Sequence, residues 1–251
     1  MKCFWGVMGK AKNIILKPIS GQDANAIVKK LHYSGKVVNN SRIHIGVFYN
    51  GSLEGAMQFG SPLDKSKVIG LVEDTKWNDF VELNRMAFSD NLPRNSESRA
   101  LSIAFKLLRK HAPHLKWVLS FSDACQCGDG TIYRASGFVL TGINSKSDMI
   151  WRLPDKLKHL SRGGDTVHRT TVQSKASILS KWVMNTYGNP NIPLRKLQQD
   201  HGGELLSGCQ MRYIYFLDLA YREKLTVPVI PFDEIKKRGF SMYKGEKIVY
   251  N

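Results

Sequence analysis

The chain is short of the features that mark secreted and membrane proteins. It has four cysteines in 251 residues, at positions 3, 125, 127 and 209, which are too few and too scattered for a disulfide framework. Cys125 and Cys127 are separated by one residue, not by the two of most zinc hairpins. No signal peptide and no apolar run of membrane length is visible, so we expect a cytoplasmic protein.

Acidic residues are scarce as well. The sequence has 37 Lys and Arg against 21 Asp and Glu, a net charge of +16, with 42% hydrophobic and 10% aromatic residues. Such an apolar content excludes a disordered chain. The cations are spread widely, with 20 basic and 12 acidic side chains in residues 1–150 and 17 and 9 in residues 151–251. A polyanion is the natural partner, and a merely soluble basic protein is the alternative.

Apolar periodicity and turn residues predict the order of the elements. The predicted elements are a strand at 14–19, a helix at 22–31, strands at 43–49 and 53–59, a strand at 79–89, a helix at 96–111, a strand from 117, a helix at 131–136, two strands within 139–152 around a turn at 142–145, a helix near 175–187 and an extended run at 212–217. Asn50-Gly51 is the strongest hairpin signal among them.

The sequence from Trp117 to Phe138 predicts a buried strand, a small polar loop and a helix that ends at Gly137-Phe138. Asp123 and Tyr133 therefore flank one strand-to-helix corner. A carboxylate and a phenol there could hold a metal, orient an amine or shuttle a proton. The alternative is structural, with Asp123 capping the turn and Tyr133 in the core.

This stretch resembles the fifth strand and fourth helix of the GNAT superfamily of N-acetyltransferases. In that superfamily a Tyr on the helix commonly faces the thioester sulfur, and a Gly-Phe pair ends the helix; Tyr133 and Gly137-Phe138 match by position. The resemblance implies a mixed α/β fold (α+β), with a mostly antiparallel central sheet flanked by helices. Pro154 follows the last predicted strands, so we expect a GNAT-like catalytic core at 1–153 and a basic C-terminal extension at 154–251, packed on the core and contacting DNA.

Three further segments resemble the Mom-type DNA modification proteins of phage Mu, over roughly residues 14–153 and more weakly at 212–216. They are His32-Tyr33-Ser34, Glu82-Leu83-Asn84-Arg85 and Phe121-Ser122-Asp123. The resemblance implies conversion of adenine in double-stranded DNA to N6-(carbamoylmethyl)adenine, in the host bacterial cytoplasm, as protection against host restriction enzymes. Reaching N6 inside a duplex favours flipping the base into a pocket, at a cost of about a few kcal/mol.

The same resemblance supplies candidate catalytic residues. They are His32, Tyr33, Glu82, Arg85, Asp123 and Tyr133. Carbamoylmethyl is linked to N6 through a CH2 carbon, so the chemistry asks for more than acyl transfer, and a neutral imidazole, a carboxylate and a phenolate are suitable ligands for iron. His32, Asp123 and Tyr133 are therefore also candidate iron ligands. A structural role for His32, and a buried Glu82–Arg85 ion pair, are the alternatives.

A second group of residues lies where acetyltransferases bind the pyrophosphate of acetyl-CoA, at a loop followed by a helix N-terminus. It comprises Arg94, Asn95, Ser96, Ser98 and Arg99. Glu97 and Arg99 stand where the superfamily has glycine, which puts ordinary coenzyme A binding in question. A helix N-terminus without a ligand is the alternative.

The C-terminal extension interleaves basic side chains with aromatic ones, and cations of this kind bind phosphate while rings can stack on a base. The candidate DNA-binding residues are Arg162, Arg169, Lys175, Lys181, Arg195, Lys196, Arg212, Lys236, Lys237 and Arg238. Two other functions stay open. One is an ordinary acetyl-CoA-dependent N-acetyltransferase of a protein or small amine, and the other is a non-catalytic DNA-binding protein on the same fold.

Overall fold

The computed structural model describes residues 10–32, 34–123, 130–161, 165–173 and 177–238. The strands are β1 (Ile15–Pro18), β2 (Ser41–Tyr49), β3 (Ser52–Gly60), β4 (Phe80–Phe88), β5 (Trp117–Asp123), β6 (Val139–Arg152), β7 (Thr166–His168) and β8 (Glu204–Phe216). The helices are α1 (Gly21–Leu31), α2 (Ser96–His111), α3 (Thr131–Ala135), α4 (Arg169–Gln173), α5 (Ile178–Tyr187), α6 (Leu194–His201) and α7 (Asp233–Lys237).

All eight of these strands form one sheet, in the order β1-β2-β3-β4-β5-β8-β6-β7. Only β4 and β5 run parallel, and the other neighbours are antiparallel. The predicted mixed fold with a mostly antiparallel sheet and flanking helices is therefore confirmed. No helix in the described part combines the length and apolar character needed to cross a membrane.

Local sequence signals predicted most of the helices and strands in the first half of the chain correctly. The hairpin of β2 and β3 turns at Asn50 and Gly51, whose φ angles of 50° and 83° are the pair that a type I′ turn requires. Ser20 caps α1 by accepting a hydrogen bond from the Asp23 N–H at 3.0 Å. The helix predicted at 96–111 is α2, with the same bounds.

The pair of strands predicted within residues 139–152 is wrong, because these residues form the single strand β6. β8 pairs with β6 along most of its length, so the backbone stays extended through the expected turn. Instead of a turn, β6 has two irregularities in its pairing with β8. The register shifts between Leu140 and Gly142, and again between Lys146 and Ile150, near Asp148 with its φ of 63°.

β8 belongs to the predicted C-terminal extension, yet it lies between β5 and β6 in the middle of the sheet. Trp117 to Asp123 pair with Phe216 to Gln210 without interruption. The boundary predicted at residue 153 therefore falls inside one continuous sheet. The segment between β7 and β8 adds helices α4 to α6, which surround a hydrophobic cluster of their own that includes Trp151, Leu179 and Leu197.

The two faces of the sheet are covered differently. On one face, α2 packs with alternate residues of the strands, among them Met57, Val118 and Met211. We call this the α2 face. α1 lies on the opposite face, where Asn25 of α1 accepts a hydrogen bond from the buried Gln58 of β3 at 2.9 Å. We call that the α1 face.

β4 and β5 separate after a short contact. They pair over Phe80–Glu82 and Trp117–Leu119 only, although β4 continues to Phe88 and β5 to Asp123. The two strands are parallel, so the opening lies at their C-terminal ends. We call this opening the β4–β5 cleft, and the candidate site lies around it.

Candidate functional site

A β-bulge in β4 places two predicted catalytic residues on the α1 face. Glu82 pairs with Gly60, and Arg85 pairs with Gln58, with a register shift between them. The shift inserts one extra residue, so side chains three positions apart project to the same side of the sheet. Without the bulge, Glu82 and Arg85 would lie on opposite faces.

His32 follows the last residue of α1. Its backbone N–H still bonds to the Val28 carbonyl at 3.0 Å, and its Nδ1 lies 3.2 Å from the Ser34 N–H, which donates to it. Burial, and then the positive charge of Arg85, lower the pKa of His32 to about 4. The imidazole is therefore neutral at physiological pH, with Nδ1 accepting.

Arg85 fixes the loop that follows His32. Its Nε donates to the Lys36 carbonyl at 2.9 Å, and its Nη1 donates to the Asn84 carbonyl at 2.6 Å. The predicted alternative roles for Arg85 were a buried partner of Glu82 or a holder of substrate. Its hydrogen bonds to two backbone carbonyls add a third role, because they join β4 to the loop at 34–40.

Glu82 lies beside Arg85 in an environment that disfavours its charge. Burial raises the pKa of Glu82 to about 7, against the opposing effects of a hydrogen bond from Asn84 and of the Arg85 charge. Asn84 is itself buried and accepts a hydrogen bond from the Ser41 hydroxyl at 3.0 Å. A carboxyl group with a pKa near 7 can exchange a proton readily at physiological pH.

Tyr133 lies on the other face of the sheet. Its ring stacks on Tyr213 of β8 with centroids 4.9 Å apart and meets the edge of Phe138 at 5.1 Å. Gly130 allows this packing, because its φ is 76° and a Cβ there would lie 2.4 Å from the Tyr213 hydroxyl oxygen. Gly137, with φ 84°, ends α3 in the left-handed conformation.

The predicted iron ligands are not brought together on one face. Tyr133 packs with the α2 face, whereas His32 lies near Arg85 on the α1 face. Asp123 ends β5, and its side chain lies outside the described part, as does Tyr33. Within the residues that the structure describes, no group of three or more His, Cys, Asp or Glu could hold a metal ion. The described residues therefore do not fit an iron site.

The predicted cofactor loop leads into α2. Asn95 has the left-handed φ of 68° and precedes the helix. Ser96 is buried, and its hydroxyl donates to the Pro93 carbonyl at 2.6 Å, so this side chain shapes the turn. Ser98 donates to the Asn95 carbonyl at 3.3 Å. Arg94 and Arg99 are exposed, and Arg99 reaches the Lys12 carbonyl at 3.4 Å.

Apart from Arg212, the candidate DNA-binding residues fall into three groups. Arg162 and Lys175 lie outside the described residues, and Arg169, Lys181 and Lys236 are exposed. Ion pairs join Arg195 to Asp148, Lys196 to Asp200, and both Lys237 and Arg238 to Glu234. Exposed pairs of this kind are worth only about 0–1 kcal/mol, so they can give way to phosphate.

Arg212 differs from the other candidates because it lies within the sheet. Its Nε donates to the Thr141 hydroxyl at 3.1 Å and its Nη2 donates to the Thr141 carbonyl at 2.8 Å. Burial lowers the pKa of Arg212. The guanidinium is thus held in one position on the α1 face.

Sequence reasoning missed the link between the loop at 34–40 and helix α4. Lys36 donates through Nζ to the Thr171 hydroxyl at 3.2 Å, and the Ser177 hydroxyl donates to the Thr171 carbonyl at 2.6 Å. Lys36 and Thr171 are 135 positions apart, so no local pattern could indicate this contact. The C-terminal helices therefore touch the loop that Arg85 holds.

Comparison with known proteins identifies relatives over most of the chain. The model of the Mom protein family matches residues 13–234. The methylcarbamoylase Mom of Escherichia phage Mu is 38% identical over 159 residues, which is 61% of this chain and 66% of that protein. The alignment thus spans somewhat less than two thirds of the phage protein.

Solved acetyltransferases are similar at a lower level. The ribosomal-protein-S18-alanine N-acetyltransferase of Escherichia coli aligns with a TM-score of 0.43 and 11% identity, over 82% of this chain and 94% of its own. A Bacillus subtilis acetyltransferase in complex with CoA aligns with a TM-score of 0.41 and 9% identity, over 81% and 97%.

Proposed function

This chain belongs to the Mom protein family, and from that premise we propose that it is a phage transferase acting on adenine in double-stranded DNA. The product would be N6-(carbamoylmethyl)adenine, which would protect the DNA from restriction enzymes in the host bacterial cytoplasm. The observation that carries the proposal is the family match over residues 13–234, supported by the relative named a methylcarbamoylase.

DNA as the partner is supported by charge. The net charge of +16 favours a polyanion. Exposed Arg169 and Lys181 lie on the C-terminal helices, whose α4 contacts the loop at 34–40. A small-amine acetyltransferase would not need such a surface, so the charge favours DNA over a small amine as the substrate.

Glu82 is the residue that we propose as the base. Its pKa of about 7 lets it accept a proton from the N6 amine as that nitrogen forms a new bond. Neutral His32, whose Nδ1 accepts from the Ser34 N–H, would donate a hydrogen bond through Nε2, and Arg85 would keep the loop at 34–40 in place. Asp123 would orient the amine, and Tyr133 would lie near the thioester sulfur, with Tyr33 in a supporting role.

Acetyl-CoA is the proposed two-carbon donor, and one feature of the structure fits it. The hydroxyls of Ser120 and Ser122, on the α2 face of β5, are buried and have no hydrogen-bond partner among the described residues. Buried hydroxyls of this kind normally have a partner, and they lie on the strand that borders the β4–β5 cleft. The N-terminus of α2, with Arg94 and Arg99 exposed beside it, would receive the phosphates.

The donor would supply the two carbons of the carbamoylmethyl group, and its amide nitrogen must come from a second donor. Joining N6 to the methyl carbon also replaces a C–H bond with a C–N bond, so the reaction requires a two-electron oxidant as a further co-reactant. Because the described residues do not fit an iron site, we derive no step through iron. The chain's own contribution is to bind the base, to hold the donor in the cleft and to remove the N6 proton. These roles need the α1 face and the α2 face to meet at the cleft.

Restriction digestion tests the proposal. Plasmid DNA from cells expressing the chain should resist enzymes whose sites contain adenine, and it should be cut normally by enzymes whose sites contain none. Glu82→Gln and Asp123→Asn should restore cutting while the purified variants bind DNA as before. Protection that persists in both variants would remove these residues from the site.

The acetyltransferase alternative makes a different prediction in the same cells. It requires acetylated protein or amine together with DNA that is cut fully at every site. The non-catalytic alternative requires full cutting, no acetylated product and DNA binding that is insensitive to Glu82→Gln. Protected DNA contradicts both alternatives.

A further inference from the structure

A row of polar residues continues the α1 face beyond the β4–β5 cleft. Asp123 of β5 pairs with Gln210 of β8, and Gln210 pairs with Asn144 of β6. Residues directly opposite one another in antiparallel strands share a face. Since neighbouring strands lie about 4.8 Å apart, the row spans about 10 Å.

Alternation along the strands assigns this row to the α1 face. Cys209 and Met211, which flank Gln210, are buried in the cluster of the α2 face, and Ile143, which precedes Asn144, packs against that cluster. Gln210 and Asn144 therefore project to the opposite side. That is the side on which the β4 bulge places Glu82 and Arg85.

Gln210 and Asn144 are both exposed, although Gln210 lies on β8 in the interior of the sheet, between β5 and β6. Within the part of the chain that the structure describes, neither carboxamide takes part in a hydrogen bond. Packing leaves this patch uncovered, while Phe80 and Leu119 farther along the same face are fully covered. The uncovered patch begins where β5 ends, at the mouth of the cleft.

The adjacent row of cross-strand partners supplies a planar side chain. Phe121, Arg212 and Gly142 are cross-strand partners, and Arg212 lies two residues from Gln210, or about 7 Å along β8. A Cβ at Gly142 would lie 3.3 Å from the Arg212 guanidinium carbon, so glycine lets the guanidinium lie against the strand. Its bonds to Thr141 hold it there. A fixed guanidinium plane is a surface on which a base can stack.

We propose that Gln210 and Asn144 form the adenine-reading row of this enzyme, with Arg212 as the stacking surface. A carboxamide donates and accepts side by side, which matches the N6 amine and the adjacent ring nitrogen of adenine. Guanine and thymine present a carbonyl oxygen where adenine presents its amine, so the carboxamide oxygen would face a second acceptor there. The inference rests on the proposed function, since it takes DNA adenine as the substrate.

A binding comparison tests the row directly. The probe is a mismatched duplex with one unpaired central adenine, and its reference is the same duplex with unsubstituted purine, which lacks the 6-amino group. The wild-type chain should bind the adenine duplex more tightly. Gln210→Met should reduce that preference roughly tenfold, within the range for one bidentate base contact. Gln210→Glu should keep it, because its carboxylate still accepts a hydrogen bond from the amine.

Two controls separate base reading from charge and folding. Gln199→Glu makes the same charge change at an exposed position of α6, and it should keep the full preference for adenine. Affinity for the purine duplex should fall less in Gln210→Met than affinity for the adenine duplex, because purine offers only the ring-nitrogen contact. Asn144→Leu should lose part of the preference, because it removes the second carboxamide of the row.

The outcomes distinguish this inference from the proposed function. A wild-type chain without any preference for adenine, or a Gln210→Met variant that keeps it, overturns the reading row. Adenine modification measured in parallel reports on the function: modified DNA with an unchanged preference in Gln210→Met refutes only the row. A preference that depends on Gln210, with DNA left unmodified, supports the row and refutes the function.

Discussion

Glu82 and His32 both interact with the Arg85 charge and have opposite pKa shifts, and the site's acid–base behaviour follows from this difference. Burial raises the pKa of Glu82 to about 7 and lowers the pKa of His32 to about 4. Each shift favours the neutral form, as desolvation requires. Between about pH 4 and 7, therefore, both groups are mostly uncharged and Arg85 carries the positive charge of the site.

The pH profile of the reaction tests the role of Glu82. The carboxylate must be deprotonated to act as a base, so the modification rate should rise as pH increases through about 7. Glu82→Gln should remove this limb together with most of the activity. His32→Asn should lower the rate but keep the limb, because His32 is already neutral above about pH 4. Modification rates measured from pH 5.5 to 9 test this role. If the rise in rate near pH 7 disappears in His32→Asn, Glu82 is not the group whose deprotonation the rate reports.

The same shifts affect stability, with opposite signs. Glu82 holds its proton more tightly in the folded state than at its ordinary pKa of 4.5, so its contribution is lost as pH rises towards 7. His32 contributes stability above its ordinary pKa of 6.5, and that contribution is lost as pH falls towards 4. In Glu82→Gln, urea unfolding should therefore show a steeper rise in stability from pH 5 to 6.5 than in wild type. Parallel pH curves for the two proteins would contradict the shift at Glu82.

At the scale of elements, the predictions that held rest on local signals. The Asn50-Gly51 turn, the Ser20 cap and the apolar stripe of α2 each lie within a few residues of the element that they define. The single strand at 139–152 was missed because its extended conformation depends on pairing with β8, some 60 positions later. The β4 bulge was not predicted either, because a bulge is defined by the register between two strands and not by the sequence of one.

The candidate site was predictable in part. The resemblance pointed to Glu82 and Arg85, and the structure adds that the bulge places them on one face with His32 nearby. The resemblance could not indicate that Tyr133 lies on the other face of the sheet, because that position depends on stacking against Tyr213 of β8. Gln210 and Asn144 carried no sequence signal, since only the strand register aligns them with Asp123.

The α3 element depends on one glycine, which gives a test of its packing. Gly130→Ala should be more destabilising than Gly51→Ala, although both residues have a positive φ. Gly51 has nothing within 4 Å of an added Cβ, so its cost should be about 1 kcal/mol for the left-handed conformation alone. Gly130 meets Tyr213 as well, which should add about 1–3 kcal/mol for overpacking. Thermal melts of the two variants compare the costs, and equal losses would contradict the contact.

At the scale of the whole molecule, the chain is built around a sheet that its C-terminal part completes. A chain truncated after residue 153 would lose β8, and with it the partner of both β5 and β6. The exposed edges and the uncovered residues Val118 and Leu140 should make this fragment insoluble or prevent cooperative unfolding. Circular dichroism and solubility measure this. A soluble fragment with a sharp melting transition would show that residues 1–153 fold independently.

The charge of the molecule predicts how it binds DNA. Phosphate contacts release counterions, so affinity should fall steeply as salt rises from 50 to 200 mM, by about a thousandfold if six phosphates are neutralised. A combined Arg169→Gln and Lys181→Gln variant should show a shallower slope of log affinity against log salt. The matched control is Lys67→Gln with Lys76→Gln, which removes two cations from the loop between β3 and β4. Equal slopes for all three proteins would exclude the C-terminal helices from the DNA interface.

The most direct test of adenine modification is mass spectrometry of nucleosides from DNA of cells that express the chain, beside cells with an empty vector. We expect a new deoxyadenosine species heavier by a carbamoylmethyl group, which disappears in Glu82→Gln and Asp123→Asn. An acetylated base would mean plain acyl transfer to DNA. DNA identical to the control, from cells that contain soluble folded protein, would contradict adenine modification.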